Sequence, residues 1–546
     1  MKKLYALAAL GTLLYSCNAN QSAVENTGTE ATTEATAATS DEPHRPQFHF
    51  TPPSGWMNDP NGMVYHNGEY HLFYQHNPDS TVWGPMHWGH AVSRDMVDWE
   101  HLPIALYPDS LGTIFSGSAV VDVNNTSGLG TAANPAMVAI FTYHNAEAEK
   151  AGKDDFQTQG IAFSLDNGRN WTKYEGNPVL ENPGIRDFRD PKVLWYEEGQ
   201  KWIMTLAVKD HISFYSSPNL LDWKLESDFG ANVGAHGGVW ECPDLFKLPV
   251  EGTDEEKWVL IVNINPGAPN GGSGTQYFIG NFDGSKFVMD PQFEAGLQAE
   301  PTIATTVNGQ EGIWLDYGRD EYAGVTWANV PEEDGRRLFM GWMSNWAYAN
   351  VVPTEKWRSA MTMARTLELV DTPAGLRVAS YPVKELQHLY GPTYTLEAQD
   401  VAGALPISEK APFSTPTFDL QLELERLSPD GQFAVELSND QNQKALVGYD
   451  ATRKQYYIDR RNAGDTSFSD DFAGIHYAPR LANGASFPVR LLVDVASVEF
   501  FADGGKTVMT DIFFPDGPFT KVRLLTESGE FKVDSGKLTE LKSIYN

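Results

Sequence analysis

Three carboxylates in this 546-residue chain stand in settings that could do chemistry. Asp59 lies in Gly55-Trp56-Met57-Asn58-Asp59-Pro60-Asn61-Gly62, between two amide side chains and just before a proline. Proline and glycine there predict a turn that continues neither a strand nor a helix and that aims one acid. Asp190 lies in Phe188-Arg189-Asp190-Pro191, where proline again predicts a turn and Arg189 offers a cation that would keep the acid ionised. Glu241 lies in Val239-Trp240-Glu241-Cys242-Pro243-Asp244-Leu245, and apolar neighbours such as Trp240 and Cys242 favour a protonated acid. Taken singly, each is as readily an ordinary turn, cap or salt bridge. Taken together, an ionised acid and a protonated one are what cleavage of an acetal with retention requires: a nucleophile and a general acid/base roughly 5 Å apart.

Such acids need a scaffold that brings distant segments to one place. From Arg45 onward the chain is made of short apolar and aromatic runs broken by Gly, Pro, Asn and Asp, as in Tyr70-His71-Leu72-Phe73-Tyr74-Gln75. These are strand-length segments, so the body reads as all-β. A weak repeat gives it an architecture. Strands run into Ser93-Arg94-Asp95 and Trp99, Ser164-Leu165-Asp166 and Trp171, Ser217-Pro218-Asn219 and Trp223, and more faintly Asn281-Phe282-Asp283 and Phe287. Aromatic anchors at this period predict blades of about four strands, and residues 44–380 have room for a five-bladed β-propeller. Residues 381–390 then offer apolar positions at helical spacing, Val383 to Leu389, and read as a short linker helix. Beyond it, Phe418 to Leu424 and Val498-Glu499-Phe500 alternate as half-buried strands do, predicting a β-sandwich domain over 391–546.

Composition narrows the partners. A formal net charge of -32 argues against nucleic acid and against electrostatic docking on anionic lipid, and leaves a neutral sugar unaffected. Residues 1–17 have a charged start, the apolar run Leu4 to Leu14 and then Ser16-Cys17, a signal peptide ending on a lipobox-like cysteine, although Tyr15 departs from the usual small or aliphatic residue. Cys17 would carry the lipid of an exported envelope lipoprotein, periplasmic or cell-surface, and lipid would be its sole link to a membrane. Residues 18–43 lack aromatic residues and read as a disordered tether up to the body. With Cys242 the only other cysteine, no disulfide framework is expected, and stability must come from burial.

The three acidic motifs resemble those of glycoside hydrolase family 32, the invertases, inulinases and levanases. Gly55 to Gly62 is similar to that family's nucleophile motif, Arg189-Asp190-Pro191 to its transition-state motif, and Glu241-Cys242-Pro243 to its acid/base motif. The resemblance implies a propeller joined to a sandwich, with neither metal nor cofactor. It also implies roles: Asp59 as nucleophile, Glu241 as acid/base and Asp190 as stabiliser of the developing cation. Asn58, Gln75, Trp83, Phe115, Ser116 and Arg189 match its sugar-binding positions, and Trp342 resembles the aromatic residue at its pocket rim. The runs Gly341 to Arg358 and Gly274 to Gly280 look more like levanases and exo-inulinases than sucrose-specific invertases. The resemblance therefore implies a fructan or fructo-oligosaccharide substrate, levan or inulin and also sucrose, with terminal fructose released. The alternatives are an endo-acting levanase or inulinase and, from another class, a non-catalytic fructan-binding surface lipoprotein. Ser164 to Trp171 fits the Asp-box of sialidases, but one clear copy on a strongly acidic chain does not suit an anionic substrate.

Overall fold

The computed structural model describes residues 42–299 and 312–545, so the expected signal peptide, Cys17 and the expected tether as far as residue 41 lie outside the described residues. The body is a five-bladed β-propeller followed by a β-sandwich. Blade 1 holds β1 (Gly55–His66), β2 (Glu69–Asn77), β3 (His87–Ser93) and β4 (Trp99–Leu106); blade 2 holds β5 (Thr113–Val121), β6 (Met137–His144), β7 (Gln157–Ser164) and β8 (Thr172–Lys173). A short helix, α1 (Ala146–Lys150), leaves the second blade between β6 and β7. Blade 3 holds β9 (Phe188–Tyr196), β10 (Lys201–Val208), β11 (His211–Ser217) and β12 (Lys224–Phe229), and blade 4 holds β13 (Val239–Pro249), β14 (Glu256–Asn265), β15 (Gly274–Phe282) and β16 (Phe287–Met289). Blade 5 is built on β17 (Tyr322–Thr326), β18 (Arg337–Met343), β21 (Arg365–Thr372) and β22 (Gly375–Pro382), with two short strands between β18 and β21, β19 (Trp357–Arg358) and β20 (Ala360–Met361). β19 pairs parallel with the start of β1, so the last blade is tied to the first.

The repeat marks the third-to-fourth strand turn of blades 1 to 4. In blades 1, 2 and 3 a serine bonds the Asp or Asn two residues on: Ser93 to Asp95, Ser164 to Asp166 and Ser217 to Asn219. The Asp or Asn then accepts backbone N–H groups of the same turn, as Asp95 does from Val97 and Asp98. The fourth blade keeps the plan with Asp283 and Ser285. The blades face one another through apolar side chains: Trp88 of blade 1 meets Phe141 of blade 2 at 5.9 Å between ring centres, and Phe214 of blade 3 meets Phe282 of blade 4 at 5.1 Å.

A 3₁₀ helix, Lys384–Leu389, leads from the propeller with Leu386 and Leu389 buried. In the sandwich the 21-residue strand Lys521–Leu541 serves both sheets. Its first part pairs with Gln432–Ser438 and its second with Phe418–Arg426. Aromatic rings fill the space between the sheets, Phe433 reaching Phe487 at 5.7 Å and Phe531 at 5.2 Å.

Candidate active site

The innermost strands β1, β5, β9, β13 and β17 contact one another in a ring around the axis. Each is interrupted at one level by a bulge, where two of its residues face one on the next strand. The pairs are Asn58 and Asp59, Phe115 and Ser116, Asp190 and Pro191, Cys242 and Pro243, and Ala323 and Gly324. A bulge turns a strand locally and re-aims its side chains, so five bulges at one level aim residues from five blades at one place. The turns expected at Asp59 and Asp190 are therefore bulges inside longer strands. Proline is tolerated there because an innermost strand lacks a continuous ladder on its axial side. Asp190 (φ 64°), Cys242 (φ 41°) and Ala323 (φ 55°) take left-handed backbone that costs a non-glycine residue energy; the first is one of the acids and the second follows Glu241 directly.

The bulges open into a cavity of about 280 Å³, near the lower end of the roughly 300–1,000 Å³ typical of small-molecule sites. Asp59, Asp190 and Glu241 all line it, with Asn58, Gln75, Trp83, Phe115, Ser116 and Arg189. Asp59 accepts hydrogen bonds from Ser116 Oγ at 2.6 Å, Asn58 Nδ2 at 2.9 Å and Cys242 Sγ at 3.4 Å. Asn58 is itself held by Trp56 Nε1 at 2.6 Å. Asp190 accepts the Cys242 backbone N–H at 3.1 Å, and its own N–H is held by Thr142 Oγ1 at 3.0 Å. Glu241 takes both Arg189 Nη2 at 2.8 Å and Nε at 3.2 Å on one oxygen, and the Tyr322 hydroxyl on the other.

These contacts revise the expected charge pairing. Arg189 forks onto Glu241 and Asp187, while its Nε stands 3.9 Å from Asp190. Burial, only partly opposed by Arg189 and reinforced by Glu241 and Asp59, pushes the Asp190 carboxyl up to about 7. Asp59 is also raised, by burial first, against the hydrogen bond from Ser116 and with the charge of Glu241. Trp240 lies in the core, fully buried, and the groups touching the Glu241 carboxyl are a guanidinium and a phenol. Local sequence marked the acids; which of them Arg189 serves is a matter of the ring geometry.

Trp342 is corrected as well. It is fully buried on β18, beneath the pocket, and the ring lining the cavity is Trp346, 5.0 Å from Trp342 and 5.8 Å from Trp56. Both tryptophans belong to Gly341-Trp342-Met343-Ser344-Asn345-Trp346, and strand alternation sends Trp342 to the core while the segment past β18 returns Trp346 to the pocket. Trp83 stands at the mouth, 43% exposed, its backbone N–H bonded to Asn350 Oδ1 at 2.9 Å.

Sequence reasoning missed Tyr322 and the wall made by His144, Glu149, Phe156 and Asp187. His144 stacks on Phe115 at 4.2 Å and pairs with Glu149 of α1 at 3.2 Å, so the short helix braces that aromatic face. Tyr322 stands just before the fifth bulge, as Glu241 stands just before the fourth, a shared level set by strand pairing that local sequence does not carry.

Comparison with known proteins agrees with this architecture. The N-terminal domain model of the glycosyl hydrolases family 32 matches residues 49–382 and the C-terminal model residues 385–540. A levanase of Bacillus subtilis is 47% identical over 511 residues, 92% of this chain and 71% of that protein. An extracellular exo-inulinase of Aspergillus niger is 39% identical over 535 residues, 91% of this chain and 95% of its own. The crystal structure of the exo-inulinase of Aspergillus awamori superposes with a TM-score of 0.82 at 36% identity, covering 93% of this chain and all of that one. A ring of bulged strands with three carboxyls, on a propeller joined to a sandwich, is thus carried by a chain that belongs to glycosyl hydrolases family 32.

Proposed function

We propose that this glycoside hydrolase releases terminal fructose from fructans, levan or inulin, and also cleaves sucrose, by double displacement with retention. Asp59 attacks the anomeric carbon of the terminal fructosyl unit, and the bond to the departing oxygen breaks as Glu241 delivers a proton to it. Glu241 then takes a proton from water as that water displaces Asp59 and frees fructose. Asp190 and Arg189 hold sugar hydroxyls while positive charge builds at the ring. Ser116 and Asn58 keep the Asp59 carboxylate oriented, and Phe115 and Trp346 face the apolar side of the ring.

The observation that carries this reading is one small cavity into which three carboxyls from three different blades project. A cavity of about 280 Å³ suits one terminal sugar better than the middle of a chain, which favours exo over endo action. The test is product analysis on levan, inulin and sucrose. Free fructose is expected as the first product from each. Oligosaccharides appearing before fructose would contradict exo action, and binding without release of sugar would favour the fructan-binding reading.

The relatives named as extracellular support export. We infer further that Cys17 carries lipid and anchors the protein to the envelope. Cys17→Ala should then move the protein from the detergent phase to the aqueous phase, and unchanged partitioning would refute the anchor.

A further inference from the structure

Blade 2 meets blade 3 through two kinds of contact at two levels. Each of its first three strands carries an apolar residue deep in the blade and, two residues nearer the pocket on the same face, a polar one: Val120 and Ser118 on β5, Ile140 and Thr142 on β6, Ile161 and Gln159 on β7. The apolar three pack with Phe188 and Val193 of β9. The polar three are just as buried, and what they meet is the backbone of β9.

β9 is the last strand of its sheet, paired with β10 along one edge alone. Buried N–H and C=O groups on the other edge need partners from elsewhere. Blade 2 supplies them with side chains. The Phe188 N–H donates to Gln157 Oε1 at 2.8 Å, and the Phe188 carbonyl accepts from Gln159 Nε2 at 2.9 Å. The Asp190 N–H donates to Thr142 Oγ1 at 3.0 Å. Past the bulge, the Pro191 carbonyl accepts from Ser118 Oγ at 2.9 Å, and the Val193 N–H donates to that same oxygen at 3.0 Å. Side chains of one blade thus stand in for the missing ladder of the next, from one side of the bulge to the other.

The middle of this ladder is a relay with a fixed direction. Thr142 and Gln159 face each other on paired strands, and the Thr142 hydroxyl donates to Gln159 Oε1 at 2.6 Å. A backbone N–H can only donate, so Thr142 accepts from Asp190 and has its own proton left for Gln159, whose amide nitrogen then donates to Phe188. The relay grips β9 at the residue before Arg189 and at the acid after it. Asp190 sits there in left-handed backbone, a conformation that persists where the surroundings hold it.

We propose that Thr142 and Gln159 are positioning residues for Asp190: they touch no sugar, and through the backbone of β9 they set where the acid of blade 3 stands against a substrate held by three other blades. The inference rests on the role proposed above for Asp190.

The test is steady-state kinetics on sucrose of Thr142→Val, which keeps the shape of the side chain and removes its hydroxyl, beside Asp190→Asn. Because Asp190 acts as charge develops, Thr142→Val should lower kcat about tenfold or more and leave KM within about twofold of the parent. Thr142→Ser, which keeps the hydroxyl, should restore most of the rate. Gln159→Met cuts the relay at its other end and should show the same loss in kcat, so the outcome does not hang on one variant. Added to Asp190→Asn, Thr142→Val should cost almost nothing more, because its effect passes through the acid already removed, whereas general damage to the fold would multiply the two losses. Full kcat in both Thr142→Val and Gln159→Met, or losses that multiply in the double variant, would overturn this proposal alone. Full activity of Asp190→Asn would overturn it together with the role of Asp190.

Discussion

At the scale of single residues, three nearby carboxyls share one patch of positive charge. Arg189 is committed to Glu241 and Asp187, so Asp190 is buried with the backbone N–H of Cys242 and the more distant edge of Arg189 for company. Its carboxyl, pushed up to about 7, binds a proton more tightly in the folded protein than in the unfolded chain. Stability from this group is therefore fully present below its ordinary value near 4 and is lost as pH rises through about 7. Asp190→Asn should accordingly melt at a higher temperature than the parent at pH 7 to 8, with the gain shrinking toward pH 4. It should also lose activity, because the amide cannot stabilise the developing cation. Melting curves across pH check this, and a gain independent of pH would show that Asp190 is not the group titrating. Sequence made Asp59, Asp190 and Glu241 legible because their neighbours are unusual. It could not show which cation serves which acid, since that depends on side chains brought together from blades 3, 4 and 5.

At the scale of elements, the working part is the bulge. Pro60 and Pro191 predict interruption and their strands are interrupted, but by one extra residue in a continuing strand, and the strand of Pro243 carries the same bulge. A turn and a bulge use the same residue types, so local sequence cannot separate them; the partner strand does. The second blade shows how tightly the bulge is held. A Cβ added at Gly117, next to Ser116, would lie 2.1 Å from the Ile140 carbonyl oxygen, and backbone cannot step aside as a side chain can. Gly117→Ala should destabilise the protein by about 1–3 kcal/mol. It should also lower kcat/KM by displacing Ser116 from Asp59. Denaturation and kinetics on one preparation check both, and full activity would mean that the bulge is not what positions Ser116. The third-to-fourth strand turns were legible for a complementary reason: Ser, Asp and Trp act within a few residues of each other, so the whole device is local.

At the scale of the whole molecule, the propeller and sandwich are joined by buried charges that no local pattern announces. Arg365 of β21 reaches Asp316 at 3.0 Å and also bonds Glu499 of the sandwich. His49, ahead of β1, bridges Glu499 and Asp494, each at 2.8 Å. Burial alone would lower the His49 pKa, but the hydrogen bonds and charges of Asp494 and Glu499 outweigh it and push it up to about 9. The charged imidazole therefore stabilises the fold fully below its ordinary value near 6.5, and that contribution is lost as pH rises through about 9. His49→Gln should melt earlier than the parent at pH 6, with the gap closing above pH 9. Equal pH dependence in the two proteins would exclude His49 as the group responsible. The two-domain plan was visible in strand periodicity and in the change of texture near residue 381. The joint was not, because its partners lie hundreds of residues apart in sequence.

The central claim, that Asp59 becomes bonded to the sugar while Glu241 handles the proton, can be tested on one covalent species. Glu241→Ala should slow the second step by removing the group proposed to activate water, while a fructosyl donor whose leaving group needs no proton should still allow the first. Mass spectrometry of the quenched, digested protein should then find one fructosyl unit on the peptide that spans Gly55 to Gly62, bonded to Asp59. A fructosyl unit on Asp190 or any other residue, or rapid turnover of that donor with inversion and no adduct, would contradict the role of Asp59 as nucleophile.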